Sequence, residues 1–245
     1  MLRFFSKIRY QLAAQNRTMK YLRYAIGEIL LVVVGIVIAL QVNNWNEYRK
    51  ARTLERKVLK EIMSNLKDDL AEIGSDITAK DSVIVACDAI LFSLDSINRV
   101  SGTFMYDVAK MQVNTHFDPN KSGYELLISK GVEIILNDSL RKSISYLYES
   151  GYSYYYRYEY ELAQFKAMHI YPQLIEKFDW VVIPVLQFFG HHKISQENYL
   201  KLKNDDSFYK LILAVQYQNK LVRNRAKRTE NRIKDLINLI DQELG

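Results

Sequence analysis

Hydrophobic and polar positions follow distinct regimes along the chain. From Tyr24 to Val42 the sequence reads YAIGEILLVVVGIVIALQV, an almost unbroken apolar run in which Glu28 and Gln41 are the strongly polar positions. At about 1.5 Å of rise per residue, a helix of this length approaches the ~30 Å hydrocarbon thickness of a bilayer. In lipid the backbone must satisfy its own hydrogen bonds, so a segment rich in Val and Ile becomes helical despite its modest propensity. Tyr21 and Tyr24 at one end, and Asn43, Asn44 and Trp45 at the other, suit interfacial anchors. The run predicts a transmembrane helix over 24–42, preceded by a basic leader over 1–23. A cleaved secretory signal is the competing reading. The long leader disfavours it, as does an apolar stretch exceeding the usual h-region of about 7–15 residues.

After the run the pattern becomes periodic. Leu54, Val58, Ile62, Leu66, Leu70, Ile73 and Ile77 recur at steps of three or four with charged residues between them, which predicts a helix. Because this stripe begins so soon after Trp45, the membrane helix is expected to run into a long juxtamembrane helix over 43–98 with little break. Gly74 marks a possible bend, and Val83 to Leu94 resume the apolar pattern with Cys87 as a small buried hydrophobe. Residues 99–123 read as irregular, with Gly102, Asp118-Pro119 and Ser122-Gly123 as breakers. Ser122-x-x-Glu125 has the form of a capping box for a short helix over Tyr124 to Lys130, ended by Gly131. Val132 to Leu136 reads as extended. Asn137 or Asp138 then caps a long helix that enters a tyrosine-rich stretch.

In that stretch Tyr154, Tyr156, Tyr158 and Tyr160 alternate, as in a strand. Ile144, Tyr148, Tyr155, Leu162 and Phe165 instead continue one helical face, and this favours the helix. So many phenols cannot all face one core, so some are expected at a rim with the ring buried and the hydroxyl wet. Pro172 and Pro184 bend or interrupt the chain, and a last helix runs from Asp205 or Asp206 through Leu211, Val215, Val222, Ile233, Ile237 and Ile240. The expected fold class is all-α: one transmembrane helix continuing into a long helix, then an antiparallel helical bundle completed by residues 99–245.

Composition agrees with this. Nine Gly and three Pro in 245 residues leave little turn chemistry for a many-stranded fold. A single cysteine excludes an internal disulfide and a cysteine-based zinc site. The formal net charge of +6 raises the question of nucleic acid. However, Arg3, Lys7, Arg9, Arg17, Lys20 and Arg23 supply most of that excess ahead of the apolar run. The remainder is nearly balanced, and the run Lys220, Arg223, Arg225, Lys227, Arg228, Arg232, Lys234 reads as a solvated helix face, with a phosphate or acidic-lipid surface as the alternative. No nucleic-acid partner is expected.

Candidate chemistry is sparse. No Gly-rich phosphate loop, GxSxG or HExxH occurs, and His116, His169, His191 and His192 lack metal-ligand spacing. No catalytic residue, cofactor or metal is expected. Within the span, Gly27, Leu31, Gly35 and Ala39 recur at i+4, a weak helix-packing stripe. Glu28 is an ionisable group inside the run. Snorkelling toward Lys20 or Arg23, a polar helix–helix contact and a proton relay are its three readings. Tyr152, Tyr154, Tyr156 and Arg157 form a possible protein-binding surface, since Tyr and Arg are enriched at interfaces; packing of core and rim is the plainer reading, and glycan stacking is a third. Six Lys/Arg before the span face Arg49, Lys50, Arg52, Arg56, Lys57 and Lys60 after it, so the positive-inside rule leaves orientation open.

The segment YAIGEILLVVVGIVIALQVNNWNE, residues 24–47, resembles a family of small single-pass bacterial membrane proteins classed only as a domain of unknown function. The basic leader, Gly27-Glu28, the middle from Gly35 to Leu40 and the exit from Asn43 to Glu47 carry the resemblance. It is specific over about 45 residues at the N-terminal end and diffuse afterwards. The resemblance implies an inner-membrane protein of a Gram-negative cell envelope, with a cytoplasmic N-terminus and a periplasmic helical domain; it implies no reaction. The expected role is therefore a membrane-anchored, non-enzymatic interaction or scaffold protein that meets membrane lipid and a protein partner or a second copy. A ligand-sensing helical ectodomain acting through a partner is the alternative, because the leader is too short for an output domain.

Overall fold

The structure is a computed structural model that describes residues 18–181 and 191–245. The expectations for the leader up to Arg17, and for Pro184 and Phe188-Phe189-Gly190, lie outside the described residues. The described chain is essentially all-α, as the periodicity predicts. It divides into two compact units, Met1–Glu55 and Arg56–Gly245.

Helix α1 is one element, Thr18–Ser96. In the first unit every residue of it from Ile29 to Val42 stands exposed; Leu31 is 70% exposed and Val42 60%. Its most apolar window has a mean hydropathy of 2.6 and none of it is buried. Among the described residues this is the one helix long and apolar enough to cross a membrane.

In the second unit α1 buries a stripe that includes Val58, Ile62, Leu66, Ile73, Val83, Cys87, Ile90 and Leu94. Gly74 does not interrupt the helix. The segment from 99 to 123 is less irregular than its breakers suggest. Helix α2, Gly102–Lys110, starts at Gly102 because the Ser101 hydroxyl accepts the Phe104 N–H, and Phe104 and Val108 anchor it one turn apart. Helix α3 spans Ser122–Lys130, but the capping box does not form. The Ser122 amide donates to Asn120 at 3.2 Å and the Glu125 amide to the Lys121 carbonyl at 2.8 Å, while Asn65 of α1 accepts from the Ser122 hydroxyl at 3.2 Å and from the Gly123 amide at 2.8 Å. Gly131 ends α3 with φ 91°, and Val132–Ile134 is a 3-10 turn rather than an extended stretch.

Helix α4, Asp138–Ser145, is capped by Asn137, whose side chain accepts from the Ser139 and Leu140 amides. It runs through a π-helical turn, Tyr146–Gly151, into α5, Tyr152–Phe165, then through a second π turn, Lys166–Ile170, into α6, Tyr171–Lys177. The tyrosine stretch is thus helical, as its hydrophobic face predicts. The second wide turn lies just before Pro172, whose ring would clash with the carbonyl four residues back in a regular helix. Two three-residue strands, β1 Asp179–Val181 and β2 His191–Lys193, pair antiparallel with Trp180 opposite His192. The sequence pattern does not anticipate this ribbon, nor helix α7, Gln196–Leu202, capped by Ser195. Helix α8, Asp206–Leu244, is capped by Asp205, which accepts the Ser207 and Phe208 amides.

One core cluster joins Cys87 and Ile90 of α1 to Phe104 of α2, Leu174 of α6, Tyr199 of α7 and Ile212 of α8. Phe104 packs edge-on to Tyr199, with ring centroids 5.0 Å apart. Burial of each such side chain contributes about 1.5–3 kcal/mol. The Cys87 thiol is pushed up to about 12 by burial and then by Asp88, in keeping with the small-hydrophobe reading.

Candidate functional site

The positions 62, 66, 69, 73, 76, 80, 83, 87, 90 and 94 of α1 alternate by four and three, and all are buried. Three of them are charged: Asp69, Asp76 and Lys80. On α5 and the π turn after it, Tyr152, Tyr155, Glu159, Leu162 and Lys166 follow the same rhythm and are also buried. Two helical faces that otherwise supply a hydrophobic core therefore bring ionisable groups together. The Lys80 ammonium donates to Asp76 at 2.6 Å and to the Thr115 hydroxyl at 2.8 Å, and it lies 3.5 Å from Glu159. Tyr155 and Thr115 both donate to Asp76, and Lys166 donates to the Val113 carbonyl. Desolvation of ions is costly, so such a cluster is tolerated only when its charges and hydrogen bonds are paired.

The shifts follow from this burial. Burial pushes the Glu159 carboxyl up to about 7, aided by the charge of Asp76 and opposed by Lys80. Burial, then Lys80, pulls the Lys166 ammonium down to about 8. Burial also raises Asp69, against the hydrogen bond from Tyr152, which donates to it at 2.6 Å.

The cluster holds an irregular segment. Between α2 and α3, the Phe117 amide donates to Glu159 at 3.1 Å, Asp118 to Glu72 at 3.1 Å and Asn120 to Asp69 at 2.8 Å. A loop running over a bundle has amides with no helical acceptor, and carboxylates projecting from α1 and α5 supply them. Above this layer is a cleft of about 270 Å³ lined by His116, Phe117, Asp118, Tyr152, Ser153 and Tyr156 among others. His116 is edge-on to Tyr156, and its Nδ1 lies 3.9 Å from Glu159.

The predicted tyrosine surface is divided by the fold. Tyr152 is in the interior, 3% exposed, and so is not on a partner surface. Tyr156 is exposed beside the cleft. Tyr154 lies two residues from Tyr156, about 200° around the helix, and faces α8 with Arg157 and Tyr158. There the Arg157 guanidinium carbon lies 5.3 Å from the Tyr154 ring centre, and that of Arg225 lies 4.8 Å from the Tyr158 ring. The Tyr154 and Tyr158 hydroxyls meet at 3.2 Å, and this bond together with both guanidinium charges lowers the Tyr158 phenol. One π turn away, Arg232 lies over Tyr146 at 5.1 Å. The adjoining groove of about 420 Å³ has a floor that includes Leu147, Leu236 and Leu239.

The membrane-helix candidates all fall on α1. A Cβ added at Gly27 or Gly35 would meet nothing within 4 Å, Ala39 is exposed, and Glu28 shares the helix. Trp45 is 64% exposed with Arg49 5.6 Å over its ring. The side-chain roles predicted for Tyr21 and Tyr24 lie outside what the structure describes. Among the described residues no group of three or more His, Cys, Asp or Glu is placed to hold a metal ion.

The signal for the charged cluster in the sequence is a set of polar residues at core-spaced positions 69, 76 and 80, beside the apolar stripe through Leu70 and Ile77. Comparison with curated proteins and with solved structures gives no match. A family profile, described as a family of unknown function (DUF6090), matches residues 28–178, more than half of the chain and from within the apolar run to just past the end of α6. The chain belongs to this family of unknown function.

Proposed function

We propose that the protein is a membrane-anchored, non-enzymatic interaction protein of the bacterial cell envelope. In this reading the apolar part of α1 over 24–42 is a single inner-membrane span, the N-terminus is cytoplasmic, and the second unit is a periplasmic platform for a protein partner or a second copy. The observation that carries it is the exposed apolar surface of α1 up to Val42, since soluble monomers rarely expose contiguous apolar patches beyond a few hundred Å². The buried cluster supports a structural role, because its acids and lysines are engaged with one another and with the loop between α2 and α3. Alkaline carbonate extraction of native membranes should leave the full chain in the pellet, and crosslinking there should give a defined multimer or heterocomplex. Release into the supernatant as a water-soluble particle would refute the anchor. A persistent monomer would refute the interaction role. The second reading, a ligand-sensing domain acting through a partner, is favoured by the cleft beside His116 and Tyr156. It predicts saturable binding of a small molecule that is lost on Tyr156→Ala.

A further inference from the structure

Along the seam between α5 and α8, cations stand on aromatic rings without acids to neutralise them. Arg157 and Arg225 share the Tyr154–Tyr158 pair, and Arg232 lies over Tyr146. Among the described residues no carboxylate lies within ion-pair distance of Arg157, Arg225, Arg232 or Lys142. This is not general for the unit: Arg223 pairs with Asp81, Lys234 with Glu230 and Lys177 with Asp205. Arg225 and Arg232 are seven residues apart on α8, so their backbone positions are separated by about 10 Å along the helix axis. Beside Arg232 is the groove of about 420 Å³ with Leu147, Leu236 and Leu239 in its floor and Lys142 at its edge; Asp235 is the acid in its lining.

We propose that this seam binds an acidic protein segment, whose carboxylates meet Arg157/Arg225 and Arg232/Lys142 and whose aliphatic side chain enters the adjoining groove. The proposal rests on the interaction reading above and specifies the chemistry of the partner. Charge complementarity selects an anion, and arginine suits carboxylates because its planar group can donate two parallel hydrogen bonds. The two cationic points are held at a set spacing by one rigid helix. That spacing matches carboxylates three residues apart on a polyproline-II-like segment, which has three residues per turn and rises by roughly 3.1 Å per residue, so both carboxylates face the same side. Mobile lipid headgroups gain nothing from such spacing, and the leucine-floored groove accepts a side chain the size of Leu.

The test uses the full chain in phosphatidylcholine nanodiscs and a fluorescein-labelled dodecapeptide carrying Glu at every third position with Leu between. Fluorescence anisotropy should show saturable binding that weakens at least about tenfold in the variant R157E/R225E, as loss of desolvated charge contacts requires. A matching peptide with Lys in place of Glu should bind that variant and not the parent, which separates charge recognition from misfolding. Equal binding of the Glu peptide by parent and variant would overturn the proposal, as would no binding by the parent. So would capture of phosphatidylglycerol vesicles through the same arginines in place of the peptide. Crosslinking in native membranes separates the two levels of failure. A chain that forms a defined complex but ignores the peptide loses only the acidic-segment proposal, whereas one that remains monomeric loses the interaction reading as well.

Discussion

Lys80→Met is the most informative single perturbation. The substitution keeps the length of the apolar stem and removes an ammonium that is buried with Asp76 and Glu159, whose side chains are 3–4% exposed. It leaves two carboxylates facing each other across the core, with Tyr155 and Thr115 donating to Asp76 and the Phe117 amide to Glu159 but no cation between them. Breaking a buried ion pair from one side costs about 3–5 kcal/mol, because the remaining charge stays desolvated. For a unit of about 190 residues, 1 kcal/mol moves the midpoint by about 2–4 °C, so a loss of roughly 6–20 °C is expected. Lys210→Met is the control: its pair with Asp206 is exposed on both sides, and exposed pairs contribute about 0–1 kcal/mol. Thermal melts of the full chain in neutral detergent, followed by circular dichroism, measure both. The deficit should be larger at pH 8 than at pH 5, because a proton on Glu159 relieves the repulsion that Lys80 otherwise neutralises. A midpoint for Lys80→Met no lower than that of Lys210→Met at pH 8 would refute the claim that the cluster is held by its charges.

The parent chain itself should respond to pH through Glu159. Its folded carboxyl titrates near 7 against an ordinary value of 4.5, so the folded state holds the extra proton; this contribution is complete below 4.5 and is lost as pH rises through 7. Denaturant titrations of Glu159→Gln should show a flatter stability profile over that window, and an unchanged slope would exclude Glu159 as its source. Two glycines should respond oppositely to alanine. At Gly123 a Cβ would lie 2.7 Å from the Ile62 amide nitrogen, so Gly123→Ala should destabilise by more than about 2 kcal/mol. At Gly74 a Cβ meets nothing within 4 Å in a helix interior, so Gly74→Ala should stabilise by up to about 1 kcal/mol in the same titration.

Local chemistry was legible wherever a short stretch of chain carries its own acceptor or its own phase. The run from Tyr24 to Val42 is helical and apolar on every face, and its composition alone marks it as long and apolar enough to cross a membrane. Asn137, Asp205 and Gly131 mark helix ends because the cap groups lie within three residues of the groups they satisfy. The continuing face through Tyr148, Tyr155 and Leu162 predicts a helix where alternate tyrosines suggest a strand, since only the helix buries all three together.

What tertiary structure alone decided is every contact between residues far apart in the chain. Asn65, from a helix some sixty residues earlier, engages the Ser122 hydroxyl that a capping box would have turned on the Glu125 amide. Tyr152 turns inward because Asp69 of α1 accepts its hydroxyl at 2.6 Å, a partner that no local pattern discloses. The cluster of Asp76, Lys80, Thr115, Tyr155 and Glu159 shows the same difference. Periodicity reveals which positions face inward, but whether an inward charge is ruinous or stable depends on a counter-charge that only the packed bundle brings within reach.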